Sequence, residues 1–241
     1  MTSDAIQALS ARCRGISLGI LAADAGNLRA AAAAAREWGG GILHFDVMDG
    51  VFVPALTAGP AFVKALDLGL VRDVHLMVAN PAAQVAAFAA AGADIITVHA
   101  EAMGAGAALA AIRDASARQG RPILAGLALM PGTSLADAAP MLAEMPDLVL
   151  LLALDPRAGK AFDIAGACSR LAALAARPGR RPLLAFDGGV SETTIAEIAA
   201  CHPDIVVSGS AVFAAAEPRA TFGRLAATLA AACAGKQEGD P

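Results

Sequence analysis

A histidine and an aspartate two residues apart, His44 and Asp46, end a short apolar run and precede an Asp-Gly turn at Asp49 and Gly50. In a β-strand, residues i and i+2 point to the same face, so the imidazole and the carboxylate would project together. Such a pair is typical of a metal site or of an acid–base pair. A buried histidine hydrogen-bonded to a neighbouring acid gives the same pattern, so the pair alone does not separate function from structure.

The apolar segments of the chain predict the framework that positions this pair. Eight short apolar runs alternate with eight segments of helix length between residues 15 and 233. Continuous apolar runs are typical of parallel strands that are covered on both faces. They predict a single-domain α/β protein, a TIM (β/α)8 barrel, in preference to an open doubly wound sheet. Residues 1–14 are interpreted as an N-terminal leader and 234–241 as a disordered polar tail.

Element boundaries follow from the same pattern. A helix is expected to begin at a cap, Thr133 or Ser134, and to run to about residue 144. The closing helix is expected over 211–233, with a break at Pro218. The predicted strands cover residues 16–21, 41–47, 71–78, 94–99, 123–129, 148–154, 183–186 and 205–207.

The overall composition argues against several classes of protein. Apolar residues make up 57% of the 241 residues and charged residues 17%, so there is ample material for a large core. The net charge of −4 and a pI near 5.5 argue against binding to nucleic acid or to an anionic membrane. No segment has the roughly 20 consecutive bulky apolar residues of a membrane span, and no secretory signal is recognised. We therefore expect a soluble cytoplasmic protein.

Four cysteines are spread along the chain without any CxxC spacing. Their density is far below that of a secreted disulfide scaffold, so we predict four ordinary reduced thiols. These residues are Cys13, Cys168, Cys201 and Cys233.

Polar side chains collect at the predicted carboxyl ends of the strands, where the active site of a TIM barrel lies. Three of the four histidines are among them, and only His202 lies elsewhere. Two imidazoles and two carboxylates fit one divalent metal ion such as zinc, iron, manganese or cobalt, and our predicted ligands are His44, Asp46, His75 and Asp187. The full set of strand-end residues is His44, Asp46, His75, His99, Glu101, Asp155 and Asp187.

Two glycine-containing turns follow the last two predicted strands. Gly188 and Gly189 follow the seventh strand, and Gly209 and Ser210 follow the eighth. Glycine lets backbone N–H groups approach an anion, and a phosphate site in this position is common in TIM barrels. Glycine at a tight turn also has a purely steric explanation, so it is the two matching positions together that favour a phosphate site.

At these residues the chain resembles the ribulose-phosphate 3-epimerase family, and the resemblance spans nearly its whole length. The second and third of the matching stretches are the most specific to that family. The stretches are ILAAD (20–24), HFDVMDGVFVP (44–54), VHLMVANP (74–81), ITVHAE (96–101), PGT (131–133), DGGV (187–190) and SGSAVF (208–213).

The resemblance implies a reaction in which the four predicted ligands hold the metal ion. Asp46 and Asp187 would act on opposite faces of a ketose phosphate: one removes the C3 proton, the other returns a proton, and the metal stabilises the 2,3-enediolate between these steps. Met48 and Met77 match two of the methionines that cover this intermediate in the family. Core filling is the alternative explanation for both methionines.

Several positions depart from the family pattern. Gly19 stands where the family has a serine whose hydroxyl touches substrate, unless Ser17 replaces it from a shifted register. Ala55 stands in place of an asparagine, and Leu152 in place of a third methionine.

The largest departure is the loop at 156–161. It reads PRAGKA where the family has Pro-Gly-Phe-Gly-Gly-Gln, and it is one residue shorter overall. The resemblance places this loop over the substrate, so Gly159 is a candidate binding residue, and Arg157 and Lys160 would bind a phosphate by charge. Two solvated loop cations are the alternative.

The predicted function is metal-dependent epimerisation of D-ribulose 5-phosphate to D-xylulose 5-phosphate. The first alternative is the same chemistry on another ketose phosphate, such as allulose 6-phosphate. The second is a sugar-phosphate-binding barrel without catalysis, although retention of all four ligand positions argues against it. The expected partner is the phosphorylated ketose, without nucleic acid or membrane, and the resemblance implies a homo-oligomer, a dimer or a hexamer.

Overall fold

Eight parallel strands close into a barrel in the order of the sequence, with β1 paired to both β2 and β8. The computed structural model describes residues 3–159 and 161–237. The prediction of a TIM barrel is confirmed. The strands are β1 (Gly15–Gly19), β2 (Ile42–Met48), β3 (Val71–Met77), β4 (Ile95–His99), β5 (Leu124–Leu129), β6 (Leu148–Leu152), β7 (Leu183–Asp187) and β8 (Ile205–Ser208).

Helices follow the strands and cover the outside of the barrel. Pro81 occupies the first turn of its helix, where a missing N–H does no harm. The α-helices are α1 (Ser3–Arg12), α2 (Leu28–Glu37), α3 (Pro60–Ala65), α4 (Pro81–Ala90), α5 (Ala105–Gln119), α6 (Ala139–Leu142), α7 (Ile164–Ala175), α8 (Ile195–Ala199), α9 (Ser210–Phe213) and α10 (Pro218–Gln237). Among the described residues, none of the helices combines the length and the apolar character needed to cross a membrane.

Two predicted helix boundaries need comment. The helix expected from Thr133 or Ser134 is only the four-residue α6, because Pro140 is tolerated in a first turn and the helix therefore begins beside it. The predicted break at Pro218 is confirmed, since α9 and α10 are separate helices. The helix α10 continues to Gln237, beyond the predicted end at residue 233, and residues 238–241 lie outside the described part of the chain.

The N-terminal helix α1 packs against the amino ends of the strands. Leu9 and Cys13 are buried in the same apolar cluster as Ile42 and Val71, which point into the barrel. Burial raises the pKa of the Cys13 thiol to about 12, so this thiol is a packing group at neutral pH. The segment interpreted as a leader thus contributes side chains to the barrel interior.

Alternation along the strands places the polar residues inside the barrel. On β2, Leu43 and Phe45 face outward into the large core between strands and helices, whereas Ile42 belongs to the interior cluster. His44 and Asp46 share the inward face with Ile42 because side chains repeat every second residue. The inward face of β2 therefore changes from apolar at Ile42 to polar at His44 and Asp46.

The prediction of four reduced thiols is wrong for two of them. Cys168 on α7 and Cys201, just after α8, form a disulfide with a Cα–Cα distance of 5.4 Å. The sequence separation of 33 residues gave no sign of this pairing, because the pairing depends on two neighbouring helices bringing the residues into bonding range. Cys13 and Cys233 are free.

Candidate metal and catalytic site

Four polar side chains from three strands meet at the carboxyl end of the barrel. Asp46 on β2 lies opposite His75 on β3 in the strand register. The Oδ1 atom of Asp46 is 3.2 Å from Nε2 of His44 and 3.2 Å from Nδ1 of His75. Asp187, at the end of β7, brings its Oδ2 atom to 3.9 Å from the same His75 nitrogen. The structure therefore brings together all four residues predicted as ligands.

The chemistry of this donor set fits a divalent transition metal. One ligand atom from each of the four residues lies within 4.8 Å of the others. Two imidazole nitrogens and two carboxylate oxygens are lone-pair donors, and such groups pointing at one another are stable only with a proton or a cation between them. Nitrogen and oxygen ligands of this kind suit zinc, iron, manganese or cobalt.

Electrostatics separates the two carboxylates of the site. Burial alone would raise the pKa of Asp46, but His44 and His75 outweigh it and hold this pKa well below its usual range. Burial and the charge of Asp46 both raise the pKa of Asp187. Asp46 therefore stays ionised to a lower pH than Asp187, which takes up a proton more readily, and this separation suits one base and one acid.

His44 is oriented by a carboxylate that the sequence analysis missed. Its Nδ1 atom lies 2.7 Å from Oδ2 of Asp73, which also accepts a hydrogen bond of 2.9 Å from the Ser17 hydroxyl. Burial alone would lower the pKa of His44, but Asp73 and Asp46 outweigh it and raise this pKa well above its ordinary value. Asp73 lies two residues before His75 on one strand, so the same period-2 pattern could have identified it. Ser17 points to Asp73 and therefore does not replace the serine missing at Gly19.

His75 is oriented by two further strand-end residues, which the sequence analysis noted but did not assign. Its Nε2 atom is 2.8 Å from Nε2 of His99, whose Nδ1 atom is 3.0 Å from Oε2 of Glu101. Burial lowers the pKa of His99 to about 4 despite this contact, so the ring is neutral at pH 7. Burial would raise the pKa of Glu101, but hydrogen bonds from His99, Thr133 and Met130 lower it to about 2. The pair is therefore a neutral imidazole beside an ionised carboxylate.

A cavity of about 720 Å³ opens beside the two aspartates. Gly188 and Gly189 have φ values of 101° and 70°, a left-handed backbone that favours glycine. All four residues predicted from the two glycine-containing turns line this cavity, together with Phe162, Ser191 and Thr194, which the sequence analysis did not select. The predicted residues are Gly188, Gly189, Gly209 and Ser210.

A smaller chamber of about 140 Å³ shares Asp46, Asp187 and Gly188 with the large cavity. Met48 and Met77 line this chamber, and so does Leu152 at the position of the family's third methionine. The chamber therefore presents an apolar wall to the space between the two carboxylates.

Comparison with known proteins identifies the lineage of this site. A model described as the ribulose-phosphate 3 epimerase family matches residues 15–213. The chain belongs to the ribulose-phosphate 3-epimerase family. It is 38% identical over 206 residues to ribulose-phosphate 3-epimerase 1 of Cupriavidus necator, and this match covers 81% of this chain and 83% of that protein. It is 37% identical over 201 residues to ribulose-phosphate 3-epimerase of Escherichia coli K12, with 80% and 86% covered. The protein is thus an enzyme of the epimerase class.

Solved structures of lower identity show the same fold. The 3-keto-L-gulonate-6-phosphate decarboxylase of Vibrio cholerae has a TM-score of 0.68 at 16% identity, covering 91% of this chain and 98% of that one. The 3-hexulose-6-phosphate synthase of Salmonella typhimurium has a TM-score of 0.64 at 18% identity, covering 84% and 93%.

The loop after β6, whose sequence departs from the epimerase family pattern, holds Arg157 against Asp155 and Phe52. The Arg157 guanidinium donates hydrogen bonds of 2.9 and 2.8 Å to Asp155 and lies 5.7 Å from the centre of the Phe52 ring. The hydrogen bonds from its side chain to Asp155 raise the pKa of Arg157. Arg157 and Gly159 are not among the residues that line the two cavities, and Lys160 lies outside the described residues.

Proposed function

We propose that this epimerase interconverts D-ribulose 5-phosphate and D-xylulose 5-phosphate by moving a proton at C3. The observation on which this rests is the convergence of two imidazoles and two carboxylates within 4.8 Å at the edge of a cavity with two glycine-containing turns. The names of the relatives, which specify ribulose phosphate, support a pentulose phosphate as the substrate.

Asp46 and Asp187 perform the two proton transfers. One carboxylate removes the C3 proton, the electron pair moves into the C2 carbonyl to give an enediolate, and the other carboxyl group returns a proton to the opposite face. The opposite pKa shifts of the two residues support this assignment, with Asp46 as base and Asp187 as acid in one direction and the roles reversed in the other. Their positions on β2 and β7 allow them to approach a substrate from two sides.

His44, Asp46, His75 and Asp187 would hold one divalent ion of zinc, iron, manganese or cobalt. Such an ion supplies Lewis-acid stabilisation of the negative charge that develops on the substrate oxygens. Met48 and Met77 line the chamber beside the carboxylates and exclude water from the reacting carbon, which strengthens electrostatic interactions there.

The phosphate of the substrate binds between the turns after β7 and β8. Ser210 is exposed to the cavity, and the amide groups of Ser210 and Ala211 precede the first backbone hydrogen bond of α9, which Val212 donates to Gly209. Arg157 is held by Asp155 and Phe52, so we assign it to the loop rather than to the phosphate. The cytoplasmic location, expected from the composition, remains a prediction. The dimer or hexamer that the family resemblance implies is also a prediction.

A second candidate substrate is a longer ketose phosphate such as allulose 6-phosphate. Gly19 contributes no side chain to the wall of the cavity of about 720 Å³, which leaves room beyond a pentulose. A panel of phosphosugars tested under the same conditions separates this candidate from ribulose 5-phosphate.

Proton NMR of the metal-loaded protein with ribulose 5-phosphate in D₂O tests the proposal. Loss of the C3 proton signal together with the appearance of xylulose 5-phosphate is the expected result. Exchange without the second epimer would contradict the assignment of one carboxyl group. Absence of exchange with metal bound would exclude the pentulose and favour a different ketose phosphate.

A further inference from the structure

The two histidine ligands present opposite nitrogens to the metal position. His44 directs Nε2 toward Asp46 and uses Nδ1 to contact Asp73. His75 directs Nδ1 toward Asp46 and uses Nε2 to contact His99. Each ring therefore has one nitrogen that faces the site and one that faces an outer partner. The outer partner of His44 is a carboxylate, whereas that of His75 is a second imidazole.

The hydrogen-bond chain behind His75 has only one consistent arrangement of protons for neutral rings. Glu101 accepts hydrogen bonds at Oε1 from the Met130 amide, at 2.9 Å, and from the Thr133 hydroxyl. Its Oε2 atom is an acceptor too, so the Nδ1 atom of His99 carries the proton that joins them. The Nε2 atom of His99 is then an acceptor, and the proton of the contact with His75 belongs to His75.

This proton arrangement determines which nitrogen of His75 is available as a ligand. With its proton on Nε2, the ring presents the lone pair of Nδ1 to Asp46 and Asp187, as metal binding requires. The side chains of His75 and His99 are completely buried, so water does not replace either partner. The opposite tautomer of His75 would leave its Nε2 atom without a donor and place a proton where the cation binds.

We propose that His99 and Glu101 are positioning residues that fix the tautomer of His75 and so keep Nδ1 free to bind the metal ion. This inference rests on the proposed metal-dependent function. It extends the site to β4 and to the segment that follows β5, because Glu101 is itself held by Met130 and Thr133. Each of the two ligand histidines is then oriented by a carboxylate. Asp73 contacts His44 directly, whereas Glu101 acts on His75 through His99.

Three variants of β4 test this role through metal affinity. His99→Leu removes the acceptor for His75, whereas His99→Gln offers an amide oxygen to His75 and an amide N–H to Glu101. Thr97→Val is the matched control, since Thr97 is buried two residues earlier on the same inward face and its hydroxyl makes no hydrogen bond within the described residues. The dissociation constant for Co²⁺ is measured by chelator competition, together with the visible absorption spectrum of the bound ion.

His99→Leu is expected to weaken Co²⁺ binding about 10- to 100-fold and to change the absorption spectrum. His99→Gln is expected to recover most of the affinity, and Thr97→Val to match the wild type. Equal Co²⁺ affinity in folded His99→Leu and wild type would overturn the inference while leaving the proposed function intact. No recovery in His99→Gln would also overturn it. A wild-type protein that binds no Co²⁺, Zn²⁺, Fe²⁺ or Mn²⁺ would instead refute the metal-dependent function on which the inference rests.

A second measurement needs no variant and is independent of how well His99→Leu folds. Nitrogen-15 NMR of the histidine rings distinguishes a protonated from an unprotonated ring nitrogen, and the chain has only four histidines. The inference expects His99 of the Zn²⁺-loaded protein to carry its proton on Nδ1 and His75 to carry its proton on Nε2. A proton on Nε2 of His99 would overturn the inference.

Discussion

Gly19 and Gly209 pack against each other at the carboxyl ends of β1 and β8, so closely that a Cβ atom on Gly19 would lie 3.1 Å from the Cα atom of Gly209. A Cβ atom on Gly209 would in turn lie 3.1 Å from the Gly19 carbonyl oxygen. The family resemblance implies a serine at position 19, and here that side chain would press on the turn that includes Ser210. The absence of a side chain at position 19 therefore allows the turn at Gly209 to lie close to β1.

Substitution of Gly19 by alanine or by serine is expected to lower the free energy of unfolding by about 1 kcal/mol, because either Cβ atom displaces the turn at Gly209. Urea unfolding measures this change. Serine adds a hydroxyl on the cavity wall, so Gly19→Ser is expected to have a lower KM for ribulose 5-phosphate than Gly19→Ala. Equal KM values in the two variants would show that the hydroxyl does not reach the substrate.

Replacement of Asp187 by asparagine should separate proton exchange from epimerisation. The remaining carboxylate, Asp46, can still remove and return a proton on its own face, so one of the two epimers should exchange C3 hydrogen in D₂O. Net epimerisation should fall by about 10²- to 10⁴-fold, the usual contribution of a positioned acid or base.

The matched variant is Asp46→Asn, which should leave exchange in the other epimer. Both variants are compared at equal metal content, because each substitution also removes a predicted ligand. Full epimerisation by Asp187→Asn would contradict the assignment of two aspartates.

The sequence predicts the four candidate ligands better than it predicts the residues that orient their histidines. The convergence of the four candidate ligands was predictable because His44 and Asp46 are two residues apart on one strand and all four residues lie near strand ends. Asp73 obeys the same rule but lies within an apolar strand, so the pattern of the strand does not single it out. The contact between His75 and His99 is harder to predict. His75 pairs with Thr97 in the register, so the stagger of the closed barrel brings His99 into reach.

The fold was predictable for a different reason, and its errors have local causes. Buried parallel strands are continuous apolar runs, so all eight were recognised without knowledge of their contacts. The helix expected to begin near Ser134 begins instead at Ala139, because Pro140 lacks an N–H and is tolerated only in the first turn. The prediction that Cys168 and Cys201 are reduced was wrong because their pairing depends on how α7 and α8 pack rather than on sequence spacing.

The effect of Glu101 on stability should depend on pH. Its pKa is lowered from 4.5 to about 2, so the ionised form stabilises the folded state above about pH 4.5, and this contribution is lost as the pH falls toward 2. Glu101→Gln should therefore be less stable than wild type at pH 7, by about 2 kcal/mol for hydrogen bonds to a charged group. Urea unfolding at pH 7 and at pH 3 should show the difference shrinking at the lower pH. A difference that is the same at both values would contradict the lowered pKa.

Arg157 and Ser210 are expected to differ in their effects on substrate binding. Ser210 lines the cavity, so Ser210→Ala should raise KM for the ketose phosphate by about tenfold through loss of a hydrogen bond to a charged group. Arg157 is paired with Asp155 on the surface of the loop, so Arg157→Ala should change KM less than about threefold. Steady-state kinetics with inorganic phosphate as a competing inhibitor makes the comparison. A larger effect for Arg157→Ala would show that its guanidinium leaves Asp155 to bind the phosphate.

The disulfide between Cys168 and Cys201 should be a measurable source of stability. It closes a loop with a sequence separation of 33 residues, and the chain-entropy model gives about 3–4 kcal/mol for a loop of this size. Cys168→Ser/Cys201→Ser should therefore unfold at lower urea concentration than the oxidised wild type, whereas reductant should not affect the double variant. Alkylation of the unfolded, unreduced wild type should modify only Cys13 and Cys233. Modification of all four cysteines would show that the thiols are free, as their spacing in the sequence predicted.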